Sequence, residues 1–507
     1  MPADPGTPTS FRARSRGRRD RTRVRTFGGS LGLTVLGALL PGSAFLVAGR
    51  RILGLALLTT IGMGAMLVVG VLLVERDPAM IAAQLASRPN LLVVLGIVVL
   101  IGALAWVAVI ITSHLAVRPA NAPGWQRAIG VALVVVLSAG VLLPSGIASR
   151  YAFATHDLVS DVFAPGQVDA SGEEIVVIRE NPWKGRPRVN ILLLGGDAGD
   201  DRTGLRTDTV ILASIDTTTG DTVLLSLPRN LMNVPFPADN PLHDVYPDGY
   251  DCGNYCLLNA VYLEAFNYAD RFPANVEDPG VESVQDSVSE ILGLKIDFFV
   301  LVDLLGFEQM IDALGGIDID VGPERVPIGG LNSDGEPRPA YLIKEWIEPG
   351  FQHLNGYQTL WFARDRASGE ASDYMRMRRQ RCVINAIVGQ ADPTTVIANY
   401  LDIVSAAESI ITTNIPAQLF PAFLELSELV KSQPIRSLPF TNEVIVPSNP
   451  DFDEIRRLVR AALEPPPPAP PTAEPAPSTT TPGESATPSQ TPTVDPGTAV
   501  ETDLVCS

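Results

Sequence analysis

The sequence is poor in the residues that most often bind zinc. Among 507 residues there are only 4 cysteines and 4 histidines. Every cysteine lies after residue 250, and only Cys252 and Cys256 are close together, in Asp-Cys-Gly-Asn-Tyr-Cys. A disulfide fits this spacing if the turn is tight. Zinc is the alternative, but no second cysteine pair completes a tetrahedral site, so the disulfide is favoured.

Positive charge is also scarce. Lysine and arginine number 38 against 56 acidic residues, which gives a net charge of -18 and argues against nucleic acid as a partner. Lysine is almost absent. Cationic clusters are therefore built from arginine, whose planar fork suits bidentate phosphate contacts.

Long apolar runs, in contrast, are abundant. Hydrophobic residues make up 46% of the chain, and the mean hydropathy is +0.20. Segments 52–74, 91–112 and 128–148 each reach the roughly 20 residues that a bilayer core requires. Segment 31–49 is shorter and contains Pro41. These segments predict a membrane region over residues 28–149.

The arginines around these segments predict the topology. Residues 1–27 form a basic run that could bind RNA, but directly before apolar segments it indicates a cytoplasmic N-terminus. Arg50-Arg51 and the loop 113–127, which has no acidic residue, also favour the cytoplasm. Four spans would return the C-terminal part to the cytoplasm. The arginines instead favour three spans, with 31–49 as a re-entrant or interfacial segment, in a multi-pass cell-membrane protein with an extracytoplasmic catalytic domain.

The rest of the chain divides by composition. A linker with some strand content at 174–179 is expected over 150–187, and an exported domain over 188–463. Residues 464–507 are dominated by Pro, Thr, Ser and Ala and predict a disordered tail, because such a segment buries too little apolar surface to fold. The tail is interpreted as a spacer, with a PxxP ligand as the alternative.

The exported domain alternates strand-like and helix-like runs, which predicts an α/β domain whose sheet is covered on both faces. A turn at 217–220 joins the second and third strands as a hairpin, so the sheet should be mixed. Strands are predicted at 189–194, 210–215, 222–227, 298–302 and 317–321. Helices are predicted at 257–267, 283–292, 304–314, 358–363, 374–388 and 393–401.

One polar stretch follows the first of these strands, which ends in Gly-Gly-Asp197. A loop then leads into Arg206-Thr-Asp208-Thr, where the second strand begins. Strand ends that pass into glycine-rich loops commonly place ligands. Asp197 and Asp208, beside Arg202 and Arg206, would suit a divalent cation that bridges phosphate oxygens. An ordinary solvated loop is the alternative.

A second polar stretch is rich in arginine. It reads Ala-Arg-Asp-Arg from residue 363 and Asp-Tyr-Met-Arg-Met-Arg-Arg-Gln from residue 373. Helical spacing places its last arginines and the glutamine on one face, and an arginine ends the third strand. Salt bridges to Asp365 and Glu370 are one interpretation; a diphosphate site is favoured. The residues concerned are Arg229, Arg364, Arg366, Arg376, Arg379 and Gln380.

Taken in order over about residues 188–390, these motifs resemble the LytR–CpsA–Psr family. They are Leu-Leu-Leu-Gly-Gly-Asp…Arg-Thr-Asp-Thr, Leu-Ser-Leu-Pro-Arg, Leu-Asn-Gly-Tyr-Gln and Ala-Arg-Asp-Arg with the helix after it. The multi-span N-terminus and the Pro/Thr-rich tail are similar to actinobacterial members. The resemblance implies an α/β/α sandwich. It also implies a phosphotransferase that moves a cell-wall glycopolymer from a polyprenyl-diphosphate carrier to a peptidoglycan hydroxyl, with Mg²⁺, or Mn²⁺ as an alternative, on the diphosphate.

The resemblance also implies residue roles. Asp208 would be a metal-associated carboxylate and Asp197 would act close by on the acceptor hydroxyl. Arg206 and Arg376 would be catalytic, and the arginines and glutamine named above would hold the diphosphate. Two departures from the family pattern matter. Asn230 stands where the family usually has Asp, which removes one possible carboxylate, and Leu257 stands where it often has Lys, which weakens the phosphate cradle.

Two other functions remain open at this point. One is a pyrophosphatase that acts on the same lipid diphosphate, with water in place of the sugar hydroxyl. The other is a non-catalytic membrane regulator that binds the lipid carrier.

Overall fold

The computed structural model describes residues 26–74, 78–119, 121–163, 182–197, 206–253, 255–330, 338–365, 373–390, 399–408, 411–464 and 497–502. The chain divides into two compact units. One comprises residues 1–78 and 93–153, and the other residues 79–92 and 154–507.

The first unit is helical. Its elements are α1 (Phe27–Leu39), α2 (Ser43–Val47), α3 (Arg51–Val74), α5 (Pro89–Val117) and most of α6 (Gly124–Val162). Three of the described helices are long and apolar enough to cross a membrane, namely α3, α5 and α6. The predicted spans 52–74, 91–112 and 128–148 each fall inside one of them. Their number and positions agree with the sequence.

Segment 31–49 does not form a long helix. The chain breaks between α1 and α2, around Pro41, because proline cannot continue the hydrogen-bond ladder of a helix interior. Helix α1 has 13 residues, too few to span a bilayer. It packs on α5 instead, where Thr34 contacts Nδ1 of His114 at 3.0 Å and Trp106 donates to the carbonyl of Ala38. A re-entrant placement stays a prediction.

Helix α6 corrects the predicted linker. It continues to Val162, so residues 150–162 of the expected linker 150–187 are helical. The polar residues that end the apolar run do not stop the helix, because no glycine or proline follows Gly146 within it. The strand content expected at 174–179 lies outside the described residues.

The second unit is built on a seven-stranded sheet in the order β11-β10-β3-β2-β1-β4-β9. The β1–β4 and β3–β10 pairs are parallel, and the other pairs are antiparallel. The mixed sheet and the β2–β3 hairpin are therefore confirmed. The strands, including two small sheets, are β1 (Arg188–Asp197), β2 (Arg206–Asp216), β3 (Thr222–Leu227), β4 (Phe298–Asp303), β5 (Ile317–Asp320), β6 (Val326–Ile328), β7 (Glu345–Ile347), β8 (Phe351–Leu354), β9 (Ile411–Thr413), β10 (Arg436–Pro439) and β11 (Val500–Glu501).

Helices cover both faces of this sheet. Alternate side chains of a strand point to opposite faces, so Leu212 of β2 joins the core with α7, α8 and α14, while Ile211 packs with α11 and α13. The remaining helices are α4 (Pro78–Ala86), α7 (Val261–Phe266), α8 (Pro279–Leu292), α9 (Leu304–Ala313), α10 (Gly356–Arg364), α11 (Asp373–Gln390), α12 (Tyr400–Glu408), α13 (Phe420–Lys431) and α14 (Phe452–Leu463).

Three predictions about this unit are not met in full by the described residues. Strand β5, predicted at 317–321, pairs with β8 in a separate two-stranded sheet. The helix expected at 393–401 lies mostly outside the described residues, and α12 begins at Tyr400. The prediction of a disordered tail over 464–507 is wrong at residues 500–501, where β11 pairs with β10 at the sheet edge. Composition missed this pairing because two strand residues carry almost no pattern.

Candidate functional site

The site lies where the β2–β3 hairpin opens. Asp208 is near the start of β2, and Arg229 comes two residues after the end of β3. Because the two strands are antiparallel, with Val210 paired to Leu227, both residues emerge at the same end of the sheet. The proline between Leu227 and Arg229 lacks a ladder donor and is suited to the end of a strand.

Asp208 is enclosed by hydrogen-bond donors. Nη1 of Arg229 donates to both of its carboxylate oxygens, at 2.9 and 3.0 Å. Nδ2 of Asn259 donates to Oδ1 at 2.9 Å. The backbone N–H of Asn259 also donates to the carbonyl of Arg229 at 3.0 Å, so the two donors are fixed relative to each other. This arrangement holds the carboxylate in one orientation.

The donors decide the charge of Asp208. Burial alone would raise the pKa of this carboxyl, but Arg229, Asn259 and Arg376 together lower it to about 2. The side chain is 23% exposed, so it is screened less than a surface group. Asp208 is therefore an anion at any physiological pH.

Helix α11 supplies a second cation and an amide to the same place. Nη1 of Arg376 lies 4.0 Å from Oδ2 of Asp208, and its side chain is only 3% exposed. One helical turn later, Nε2 of Gln380 donates to Oγ1 of Thr209 at 2.8 Å. The predicted spacing i, i+4 thus brings Arg376 and Gln380 onto β2. These contacts join the two polar stretches of the sequence in one site.

Arg379 has a different partner. It forms a buried ion pair with Asp365, and its guanidinium lies 5.3 Å from the ring centre of Phe362. The structure therefore places Arg379 between α10 and α11, as the salt-bridge interpretation expected, and not in the Asp208 cluster. At the end of α10, the guanidinium of Arg364 lies 5.8 Å from the ring centre of Trp361. The predicted ligand Arg366 lies outside the described residues.

The other predicted residues of the first polar stretch lie beside this cluster along the backbone. Asp197 ends β1 and is paired with Arg206 at the start of β2. Arg206 is exposed, and its charge acts on the phenol of Tyr250. The side chain of Asp197, together with the loop that contains Arg202, lies outside the described residues. The backbone register alone places both predicted carboxylates at one end of the sheet.

The described residues offer few ligands for a metal ion. No group of three or more His, Cys, Asp or Glu side chains suited to a metal ion occurs among them. Mg²⁺ commonly needs only one or two carboxylates, with water and substrate phosphates completing its shell. Asp208 is ionised. Asn259 is 3% exposed, and its Oδ1 has no hydrogen-bond partner among the described residues. A permanently ionised carboxylate and an unsatisfied amide oxygen fit a hard cation shared with a substrate.

Sequence reasoning missed Asn259 as a site residue. The signal was present, since Asn259 follows Leu257-Leu258 in the segment where the chain departs from the family pattern. A backbone contact holds this segment: the N–H of Leu258 donates to the carbonyl of Leu231. That backbone contact already fixes the segment against the strand end.

The cysteines form disulfides. Cys252 and Cys256 are bonded to each other with a Cα–Cα distance of 5.3 Å, the pairing that was favoured over zinc. Cys382, in α11, is also disulfide-bonded, although no partner was expected from the sequence. Disulfides form and persist in oxidising compartments.

The family can be stated on comparison with known proteins. The model of the LytR_cpsA_psr family matches residues 164–449, more than half of the chain. The chain belongs to this family. The match covers both polar stretches and the whole Asp208 cluster.

Of two similar proteins, one is named a transferase and the other a regulatory protein. A protein of Oceanobacillus iheyensis named "Polyisoprenyl-teichoic acid--peptidoglycan teichoic acid transferase TagU" is 29% identical over 270 residues, 53% of this chain and 69% of that protein. The "Biofilm regulatory protein A" of Streptococcus mutans is 28% identical over 268 residues, 52% of this chain and 57% of that protein. The alignment thus covers little more than half of the second relative.

A solved structure was also compared. The crystal structure of Bacillus subtilis TagV is 24% identical and covers 54% of this chain and 96% of that one, with a TM-score of 0.37.

Proposed function

We propose that this LytR_cpsA_psr protein transfers a cell-wall glycopolymer from a polyprenyl-diphosphate carrier to a hydroxyl of peptidoglycan. The observation that carries the proposal is the cluster of Asp208, Arg229, Asn259 and Arg376 at one end of the sheet. The names of the relatives in Oceanobacillus iheyensis and Bacillus subtilis, which state teichoic acid transfer to peptidoglycan, support the same reaction class.

The arginines would bind the diphosphate. Phosphoryl transfer depends mainly on positioning and on neutralising charge. Asp208 contacts the partly exposed Arg229 and the buried Arg376, so their guanidiniums are already oriented when the donor binds. The N–H groups that Asp208 does not use can donate to phosphate oxygens. Arg364 and Arg366, at the end of α10 and just after it, would extend this surface.

In the reaction, the acceptor oxygen forms a bond to the phosphorus nearest the sugar, and the bond from that phosphorus to the bridging oxygen breaks. Polyprenyl phosphate leaves with that oxygen, and the hydroxyl proton passes to a base. A carboxylate with a pKa of about 2 is a weak base, because efficient proton acceptors have pKa values nearer the working pH. Asp208 therefore suits charge stabilisation, and we assign the proton to Asp197.

We include Mg²⁺, with Mn²⁺ as an alternative, in the proposal. Asp208 would hold it, with Asp197 left to accept the proton, and the cation would neutralise charge on the diphosphate when bound. Arg206 would lie beside it on β2.

We propose that the reaction takes place outside the cytoplasm. The bonded cysteines of the second unit are typical of an oxidising compartment, and the three apolar helices before it would anchor the protein. A fusion of alkaline phosphatase to the C-terminus tests this: activity of the fused enzyme in cells is expected, and an inactive fusion that is made at normal levels would contradict the placement.

The central experiment uses the full chain in detergent with Mg²⁺, a polyprenyl-diphosphate-linked glycopolymer and a peptidoglycan oligomer. Polymer joined to peptidoglycan is expected. Free sugar phosphate alone would identify a pyrophosphatase. Lipid binding without turnover would identify a regulator, the function that the name of the Streptococcus mutans relative denotes.

Variants sharpen this experiment. Asp208→Ala and Arg376→Ala should each lower the transfer rate by about 100-fold or more, as expected for groups that neutralise charge in the transition state. Arg457→Ala is a matched control, because Arg457 is exposed and pairs with Glu454 on its own helix. Full activity of both site variants would show that the Asp208 cluster is not the catalytic centre.

A further inference from the structure

Arg381, next to Gln380 in α11, is a buried cation that takes no part in the Asp208 cluster. It is 4% exposed, and its Nε and Nη1 have no hydrogen-bond partner among the described residues. Burial and the nearby positive charge of Arg378 both lower its pKa, to about 10. A buried charge with no counter-ion is strongly unfavourable. A bound anion or polar ligand beside the Arg381 guanidinium would offset this cost.

The position of Arg381 follows from the helix. Arg381, Ile384 and Val388 are related by i, i+3 and i+7, so they share one face of α11. Ile384 and Val388 pack on the sheet together with Ile211 of β2 and Leu224 of β3. Arg381 therefore belongs to the face that meets the sheet. It lies toward the end at which Gln380 contacts Thr209, which is the end that carries the Asp208 cluster.

Two strand hydroxyls face the same layer. Leu224 of β3 lies on the α11 side of the sheet, and alternation places Ser226 on that side too. Ser437 of β10 pairs with Leu224 in parallel register and shares its face. Both serines are 1% exposed, and their Oγ atoms have no hydrogen-bond partner among the described residues. Among the described residues, the layer therefore holds two unsatisfied hydroxyl groups in addition to the unsatisfied Nε and Nη1 of Arg381.

We propose that Arg381 binds a phosphate-class anion in the layer between the sheet and α11, with the Ser226 hydroxyl as a second donor. Ser226 precedes Arg229 by three residues, so this anion subsite would continue the Asp208 cluster into the interior. The inference deepens the proposed transfer reaction, because the anion would be a phosphate of the donor or, as the alternative source, inorganic phosphate from solution. Guanidinium is the side chain best suited to either, since its fork matches phosphate geometry.

The test compares unfolding and binding in the full chain in detergent. Arg381→Met keeps much of the side-chain volume and removes the charge. Without added anion, this variant should melt at the same temperature as the wild type or above it, because it removes an uncompensated buried charge. With inorganic pyrophosphate, its Kd should rise about tenfold relative to the wild type, the effect of losing one charge-assisted contact of about 1.4 kcal/mol.

Two further variants keep the result interpretable. Arg381→Gln retains a donor without the charge and should show an intermediate Kd, which covers the case in which Arg381→Met does not fold. Arg456→Met is the control, because Arg456 pairs with Asp453 and Glu290 on the other side of the sheet, and its Kd should not change. A lower melting temperature with an unchanged Kd in both Arg381 variants would overturn the proposal.

A second ligand separates the two sources of phosphate. If the donor head group occupies the subsite, geranyl diphosphate should bind more tightly than pyrophosphate and should lose affinity in Arg381→Met. If free phosphate occupies it, only the pyrophosphate affinity should fall. Failure of the wild type to bind either ligand would overturn the subsite, whereas the transfer assay tests the proposed function independently. If the transfer rate does not depend on Arg381, the proposed reaction stands and the proposed subsite is wrong.

Discussion

At the level of single residues, the arginines of α11 differ in their partners although they are close in sequence. Arg376 contacts Asp208 across the sheet end, and Arg379 pairs with Asp365 of the segment after α10. Removal of Arg379 takes the ion-pair partner from a buried carboxylate, whereas Asp208 keeps Arg229 when Arg376 is removed. Their substitution should therefore affect different properties of the protein.

The Arg379–Asp365 pair should act on stability. Arg379→Met should lower the free energy of unfolding by about 3 kcal/mol, because Asp365 would stay buried and lose its ion pair with Arg379. Asp365→Asn in the same chain should recover much of that loss, since the remaining charge is then removed. Urea unfolding of the two single variants and the double variant measures the coupling. Additive losses would show that the pair is not coupled, and would reopen a direct role of Arg379 on the diphosphate.

The Asp208 carboxyl should contribute a pH-dependent part of the stability. Its folded pKa of about 2 lies below its ordinary value of 3.8, so the contribution is complete above about pH 4 and is lost as the pH falls toward 2. The shift corresponds to about 2 kcal/mol. Asp208→Asn should lose this amount at neutral pH and show a flatter acid limb. Unfolding curves from pH 2 to pH 7 check it; an unchanged acid limb in Asp208→Asn would contradict the assignment.

At the level of elements, the sequence predicts best where periodicity is long. The sequence predicts β3 at its observed bounds, and it predicts β1, β2 and β4 slightly shorter than they are. All four strands are recognisable because their buried faces give continuous apolar runs. Strands β9 and β10 were missed, since three or four residues do not carry a period. The arginine face of α11 follows from helical periodicity, just as β3 follows from its apolar run. The ion-pair partner of each arginine cannot be predicted in this way, because it depends on which residues the tertiary fold brings close.

Helix α8 offers a test of electrostatics at this scale. Glu282 lies in its first turn, and burial, Asp286 and Asp239 raise its pKa to about 7. A raised acid pKa favours the folded state at low pH and disfavours it as the pH rises from about 4.5 to 7. Glu282→Gln should therefore raise the melting temperature at pH 8 and change it little at pH 4. Glu308→Gln in α9 is the control, with the same change in formal charge, and equal effects of the two variants at pH 8 would refute this account.

At the level of the whole molecule, the end of the described chain belongs to the sheet and not to a free tail. Strand β11 pairs with β10, the N–H of Thr502 donates to the carbonyl of Ile435 at 2.8 Å, and its Oγ1 donates to the same oxygen at 2.9 Å. The Pro/Thr-rich residues are therefore bounded on both sides by the fold, by α14 before them and by β11 after them. Composition could predict their polarity but not the return of the chain, because strand pairing over such a distance leaves no local signal.

A truncation measures how much this return contributes. Cys382 is disulfide-bonded and the truncation removes Cys506, so all chains in this comparison carry Cys382→Ser. In that background, a chain that stops after Glu464 exposes the backbone of β10 as an open sheet edge and loses the hydrogen bonds to Ile435, so its free energy of unfolding should fall by about 1–3 kcal/mol. Deleting residues 473–482 keeps β11 and shortens only the connection. Loop closure depends weakly on length, so this variant should change stability by less than about 0.6 kcal/mol. Urea unfolding of both variants in detergent gives the comparison. Equal stability of the truncated and the internally deleted chain would mean that β11 is not a stable part of the sheet, and the segment after Glu464 would then be the free spacer that its composition predicts.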